Sequence, residues 1–373
     1  MNVVMIPSAG GGIGHIARTA TLGRMLQKLA PETTVEYLLD SERLRPFNIE
    51  MAARTGFRVQ LLPPRPRDAR DAIVRACLGH ADVIVDDTTR YLVPLRRIVP
   101  QAAWVSIPLP PIGDELFMDW PFLAQTDAVI WAYPPALGTL PELALIADKL
   151  LRTGPFLELA KVPDRPAARA RLGLGADEEI VLYAPRGMPF GPEFGRRVLG
   201  GLYGAVEALR ATRPRLRLVL VAVGDPAELR GSGLPDALPA WVTVRGVVAP
   251  EESLAYLRAA DIAIAEGTST AHEAAALGTA LVMVPGPIYE TWLLGTRLHE
   301  HEAAHILWIE RVTPEALAGV FADILAEPTA RAARQRRARD FVTGGGGVAA
   351  AARLVLDLAA RRRGLSADAV AAG

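Results

Sequence analysis

The chain has 373 residues, 50% hydrophobic and 22% charged, which is too long for one typical core and suits two α/β domains. Lys+Arg and Asp+Glu both number 41, so the formal net charge is zero, and the basic stripe that nucleic-acid binding demands is not expected. Cys77 is the single cysteine, so no intrachain disulfide forms.

Strand and helix patterns alternate from the start. NVVMIPS (2–8) is a short apolar run of the kind a strand buried on both faces requires. A glycine-rich loop follows, then a helix around ARTATLGRMLQKLA (17–30). TVEYLLD (34–40) and FRVQLLP (57–63) read as strands. DARDAIVRACLGH (68–80) reads as a helix, with Cys77 as a buried core thiol. ADVIVDD (81–87) is a strand that ends in two carboxylates, and AAWVSIP (102–108) and DAVIWAY (127–133) complete the set. Pro/Gly-rich YPPALGTLPE and LRTGPFLE then break the rhythm and place a linker near Arg152–Pro155. A second series runs through strands EEIVLYAPRG (178–187), LRLVLVAVGD (216–225), WVTVRGVV (241–248), IAIAEG (262–267) and ALVMVPGP (280–287), the last predicted strand. The helix STAHEAAALG (269–278) should stop at Gly278 as a C′ glycine. TGGGG (343–347) separates an arginine-rich helix from the terminal helix VAAAARLVLDLAARRR (348–363), and a frayed tail is expected after it.

This order predicts an α/β protein of two Rossmann-like, doubly wound parallel-sheet domains facing a cleft, with boundaries at 1–153, 154–346, 347–364 and a tail 365–373. In such sheets ligands sit beyond the carboxyl ends of the strands. No basic leader precedes the first strand and no apolar run reaches membrane-spanning length, so the expected location is cytoplasmic. Arginine far outnumbers lysine, of which there are only Lys28, Lys149 and Lys161, a bias that together with abundant alanine suggests a high-GC bacterial source.

Four glycines in PSAGGGIGHIART (7–19) suit a turn that must approach a ligand closely. A dinucleotide-binding reading meets two objections: the spacing is not G-x-G-x-x-G, and none of the three lysines has a tyrosine four residues before it. His15 falls at or near a helix N-terminus, where the dipole disfavours the imidazolium and keeps a neutral base available. Asp86 and Asp87 end another strand on the same carboxyl edge, and a carboxylate there can fix the imidazole tautomer. A solvated histidine, and aspartates serving as turn or cap residues, are the plainer alternatives.

In AEGTSTAHEAAALG (265–278), Gly267 turns the chain and Thr268, Ser269 and Thr270 open a helix with free amides and hydroxyls, which suits a diphosphate. Glu273 would then reach ribose hydroxyls. Thr270 and Glu273 also match a capping box, and the two readings stand side by side.

The stretch VTVRGVVAPEESLAYLRAADIAIAEGTSTAHEAAALGTALVMVPGP (242–287) resembles the donor-nucleotide half of GT-B glycosyltransferases, above all the peptidoglycan N-acetylglucosaminyltransferases and UDP-glycosyltransferases. The matching positions are Gly246-Val247-Val248, Ala260-Asp261, Gly267, Thr270, Glu273, Gly278 and Pro285. Gly14-His15 resembles the family's N-terminal Gly-His, and Asp86 the aspartate that pairs with that histidine. The resemblance implies an acceptor-binding first domain, a nucleotide-sugar-binding second domain, and a last helix that crosses back to the first.

It also implies an inverting, metal-independent transfer from a UDP- or TDP-sugar to a small-molecule or lipid-linked acceptor, with His15 as base, Asp86 as its partner and no cofactor. Donor contacts would come from Arg186, Val247, Gly267, Thr268, Ser269, Thr270, Glu273, Glu290 and Thr291. Acceptor contacts would come from Gly12, Gly14, Phe117 and Trp120, the aromatics lying in a Pro-rich, loop-like stretch with Met118 and Phe122. The sequence departs from the family in three places: Glu290 and Thr291 stand where Asp-Gln or Gln-Gln is common, APRGMPFG lacks Gly-Gly-Ser-x-Gly, and Glu266 replaces a frequent glycine. RAARQRRARD (331–340) is a surface able to touch anionic lipid headgroups, though a solvated helix face explains it better. Two other functions fit the same features. One is a nucleotide-sugar epimerase, for which His272, His299, His301 and His305 would supply further acid–base groups. The other is a nucleotide-sugar-binding protein without catalysis.

Overall fold

The computed structural model describes residues 1–8, 14–42, 44, 46–62, 67–88, 99–110, 120–138, 140–185, 191–221, 232–246 and 248–364. The chain forms two compact units. The first is Met1–Leu157 together with the chain from Gly344 onward, and the second is Glu158–Thr343.

In the first unit seven strands, β1 (Asn2–Pro7), β2 (Thr34–Asp40), β3 (Arg58–Leu62), β4 (Val83–Asp87), β5 (Ala103–Ser106), β6 (Ala128–Trp131) and β7 (Leu150–Arg152), make one parallel sheet in the order β3-β2-β1-β4-β5-β6-β7. The connections include α1 (Gly14–Leu29), α2 (Pro46–Arg54), α3 (Arg67–Leu78) and α4 (Trp120–Gln125). Helices on both faces explain why β4 and β5 are buried at every position. β7 lies where the sequence suggested linker: three residues of edge strand carry too little pattern to stand out from a Pro/Gly-rich surrounding.

The second unit holds α5 (Arg165–Leu172), β8 (Glu179–Tyr183), α6 (Pro192–Arg210), β9 (Leu216–Val221), β10 (Val242–Arg245), α7 (Pro250–Ala259), β11 (Ile262–Ala265), α8 (Thr268–Leu277), β12 (Ala280–Met283), α9 (Tyr289–Glu300), β13 (His305–Ile306), α10 (Pro314–Ala326) and α11 (Pro328–Val342). Its sheet is parallel in the order β10-β9-β8-β11-β12-β13, so a two-residue edge strand follows the one the sequence marked as last. Both sheets carry the strand order 3-2-1-4-5-6 of doubly wound nucleotide-binding folds, the first with one strand more.

α12 (Gly347–Arg362) belongs to the first unit. Val348, Ala351, Ala352, Val355 and Ala359 join Ile16, Leu22 and Leu26 of α1 in one buried cluster, and Arg362–Asp127 and Arg363–Asp82 pairs pin the helix's far end. The chain leaves and re-enters this unit at one place. Gly347 N donates to Thr153 O at 2.7 Å, and a Cβ on Gly154 would stand 2.7 Å from Gly344 O, so only glycine, at φ +76°, fits there. By length and composition alone Pro328–Arg362 is long and apolar enough to cross a bilayer, but it comprises two helices and α12 packs its apolar face into protein.

Candidate active site

In the first sheet the chain winds one way from β1 to β3 and the other way from β4 to β7, so β1 and β4 flank the switch point where such folds place ligands. Ile6 pairs with Asp86 and Pro7 with Asp87, and Ser8 N donates to Asp87 O at 2.9 Å. α1 starts at Gly14, which puts His15 second in the helix, buried, with Nδ1 3.0 Å from Asp87 Oδ1.

The partner is Asp87, not the expected Asp86. Side chains along a strand alternate faces. Val83 and Val85 lie in the cluster under α1 and α12, so Asp87 shares their face, and His15 descends onto it. Ile84 lies in the opposite cluster with Val74 and Leu78 of α3, and Asp86 follows it there, taking a 3.5 Å hydrogen bond from Ser106 Oγ.

Asp87 is fully buried and densely bonded. Arg18 Nε donates to Oδ2 at 3.0 Å, Arg18 Nη2 to Oδ1, and Thr88 Oγ1 to Oδ1 at 2.8 Å. Burial works against the carboxylate, but the charges and hydrogen bonds of Arg18 and His15 outweigh it and hold Asp87 well below the usual range. Thr88 adopts φ +68°, a strained backbone for a β-branched residue, immediately beside this cluster. Sequence reading missed Arg18, although its signal was available: it lies three residues after His15, on the same helical face.

The switch point of the second sheet lies between β8 and β11. β11 runs into Glu266, and Gly267 is the N-cap of α8 with no side-chain capping bond. The amides of Thr268, Ser269 and Thr270 open the helix without an intrahelical partner, and among the described residues without a side-chain one, at the positive end of its dipole. The capping box is not formed. Thr268 Oγ1 donates to the buried Glu290 Oε1 at 2.7 Å, Thr270 Oγ1 donates to Ala184 O at 3.4 Å, and Ser269 is exposed. The helix ends at Gly278 in the left-handed conformation, φ +72°, as the sequence predicts.

Two carboxyls at this edge are perturbed. Glu273 is half-buried, receives no hydrogen bond among the described residues, and is pushed up to about 7 by desolvation. Glu266 has no exposed surface; burial pushes it to about 7, slightly opposed by the hydrogen bond from Tyr183 Oη to its Oε1, while Oε2 has no partner among the described residues. Burial and Glu266 together raise the Tyr183 hydroxyl well above its ordinary value. Thr291 is fully buried and gives its hydroxyl to Gly286 O and Ile288 O at 2.8 and 3.0 Å, so it serves its own turn rather than offering a free hydroxyl.

Gly12, Phe117, Arg186 and Val247 lie outside the described residues. Gly14 and Trp120 are the first residues of α1 and α4, so Trp120 opens a helix instead of sitting in a loop, and Phe122 is buried. Of the remaining histidines, His272 is buried in α8 and His301 packs edge-on to Phe341 at 5.2 Å. His305 lies 2.6 Å from Arg334, and burial with that charge pushes it down to about 4. Two arginines of the basic run, Arg334 and Arg337, bond to His305 and to Glu302 O within their own unit. Among the described residues no group of three or more His, Cys, Asp or Glu could hold a metal ion.

Two parallel-sheet Rossmann-like units, each with a polar site at its switch point, make this a GT-B fold, the architecture of glycosyltransferases. The glycosyltransferase of kitacinnamycin aligns over 96% of this chain and 98% of its own at 19% identity and TM-score 0.65. The spinosyn rhamnosyltransferase SpnG aligns over 95% and 100% at 16% identity and TM-score 0.65, and Acinetobacter baumannii MurG over 95% and 99% at 16% and 0.63. A Listeria monocytogenes protein described as a UDP-N-acetylglucosamine 2-epimerase shares the fold at 13% identity and TM-score 0.64, covering 97% of this chain and 96% of its own. No family model matches the sequence, and no curated protein is significantly similar to it.

Proposed function

We propose that the protein is an inverting, metal-independent glycosyltransferase that moves a sugar from a nucleoside-diphosphate sugar, UDP- or TDP-linked, to a small-molecule or lipid-linked acceptor. The observation that carries this is the buried His15–Asp87 pair at the switch point of the first sheet. Asp87 accepts the Nδ1 proton, which leaves Nε2 as the base for an acceptor hydroxyl. As the nucleophile attacks the anomeric carbon, the bond to the diphosphate breaks on the opposite side and the centre inverts. The departing charge is met by the open amides of Thr268–Thr270, which need no reorganisation to receive it. Glu273 is the group for the ribose and Glu290, fixed by Thr268, the group for the sugar. No cofactor beyond the donor enters this scheme.

Removing a general base costs on the order of 10²–10⁴-fold in turnover. His15→Ala should therefore lower turnover by about that factor and leave donor affinity unchanged, as read by nucleoside diphosphate release and by calorimetric titration with UDP and TDP. Turnover equal to that of the wild type removes His15 from the mechanism.

A second reading, a nucleotide-sugar epimerase, draws on Glu266 and Glu273, whose carboxyls near pH 7 suit acid–base exchange. The assay separates the two: epimerisation alters the sugar without an acceptor, whereas transfer releases nucleoside diphosphate only with one.

A further inference from the structure

We propose that Arg18 is a positioning residue for the base: it fixes Asp87 as a carboxylate and, through it, the tautomer of His15. The inference rests on the reading of His15 as a base and goes beyond it.

Asp87 Oδ1 is shared by three donors, His15 Nδ1 at 3.0 Å, Thr88 Oγ1 at 2.8 Å and Arg18 Nη2, while Arg18 Nε holds Oδ2 at 3.0 Å. The guanidinium thus clamps both oxygens of one carboxylate, a geometry that orients as well as neutralises. Its Nη2 also stands 3.3 Å from His15 Nδ1. Arginine only donates, so among the described residues a proton on Nδ1 has one acceptor there, the Oδ1 that the clamp presents to it. The clamp therefore favours the tautomer whose lone pair is on Nε2.

Charge leads to the same conclusion. A neutral imidazole beside an unclamped aspartate would leave a net negative charge where Asp87 has no exposed surface. With Arg18 the resting group is neutral, and when His15 takes a proton it becomes positive.

Among the described residues the neighbours leave little else to do this. β4 contributes Asp87, and the chain beyond it the Thr88 hydroxyl. β2 contributes the Tyr37 phenol, kept protonated by burial and hydrogen-bonded with Thr19. From β1, β5, α2 and α12 the cluster receives Met5, Val105, Met51 and Val348, none of which titrates.

The test is ring nitrogen and carbon NMR of the full chain across pH, with the His15 signal assigned by its loss in His15→Gln. Wild type should carry the ring proton on Nδ1. Arg18→Gln should let the neutral ring populate the Nε2-protonated tautomer as well, and Arg18→Lys, which keeps the charge, should hold the proton on Nδ1. A folded Arg18→Gln with an unchanged tautomer, or a wild-type ring protonated on Nε2, overturns the proposal. The wild-type tautomer decides it even where Arg18→Gln does not fold. Failure of the base reading shows separately, as full turnover in His15→Ala.

Discussion

Replacing Asp87 by Asn removes one charge and exchanges one acceptor oxygen for a donor NH₂. Both oxygens receive donors, so the amide nitrogen faces a donor whichever way it turns. Breaking a buried ion pair costs about 3–5 kcal/mol. Arg18 keeps 16% of its side chain exposed and can recover some hydration, which favours the lower end, about 3 kcal/mol. For a unit of this size that lowers its calorimetric transition by about 6–12 °C.

The pH dependence has a definite sign. The folded-state carboxylate lies below its unfolded value, so its contribution is complete above about pH 4 and disappears as pH falls through the folded value. The gap between wild type and Asp87→Asn should close under acid. Turnover should fall by about 10²–10⁴-fold, because the amide no longer selects the imidazole tautomer. Asp86→Asn, on the other face of the strand from His15, should lower turnover far less than Asp87→Asn does. An Asp87→Asn variant as stable as wild type at pH 7, or an Asp86→Asn variant equally damaged, refutes the assignment.

Three further outcomes are expected. Between pH 4.5 and 7 the folded chain keeps a proton on Glu266 that the unfolded chain has released, so stability falls as pH rises across this window. Glu266→Gln should escape that loss and gain on wild type by up to about 3 kcal/mol from pH 5 to 8 in denaturant titrations; parallel pH profiles count against it. Thr268→Val should remove one donor from the buried Glu290 carboxylate, cost about 1–3 kcal/mol and weaken UDP binding by calorimetry, and unchanged values for both would contradict the role given to this pair. Gly278→Ala places a Cβ against Arg339 Nη2 at φ +72°; the arginine tip can move aside but the backbone cannot, so the loss should be about 1–2 kcal/mol by chemical denaturation, and a neutral result would mean the helix end has shifted.

Most of the doubly wound architecture was legible because strands buried on both faces leave continuous apolar runs, and because glycine marks the ends of helices such as Gly278. β7 and β13 were not, being three and two residues long, since a periodic signal needs more length than that. The local match of Thr270 to Glu273 misled for a different reason. A capping box competes with whatever else the hydroxyls can reach, and here Glu290, twenty-two residues on from Thr268, and Ala184 O, eighty-six back from Thr270, take them.

The amino-acid order by itself determined that two parallel sheets form, that a histidine opens the first helix beyond a glycine loop, and that a helix with hydroxyls at its start follows β11. These are local consequences of periodicity and of which residues tolerate a turn. Only the tertiary structure decided that Asp87 rather than Asp86 meets His15, that Arg18 clamps it, and that Tyr183 covers Glu266. Which face of a strand a helix descends upon, and which distant group a buried carboxyl finds, depend on packing between elements far apart in the chain, and no local pattern encodes that choice.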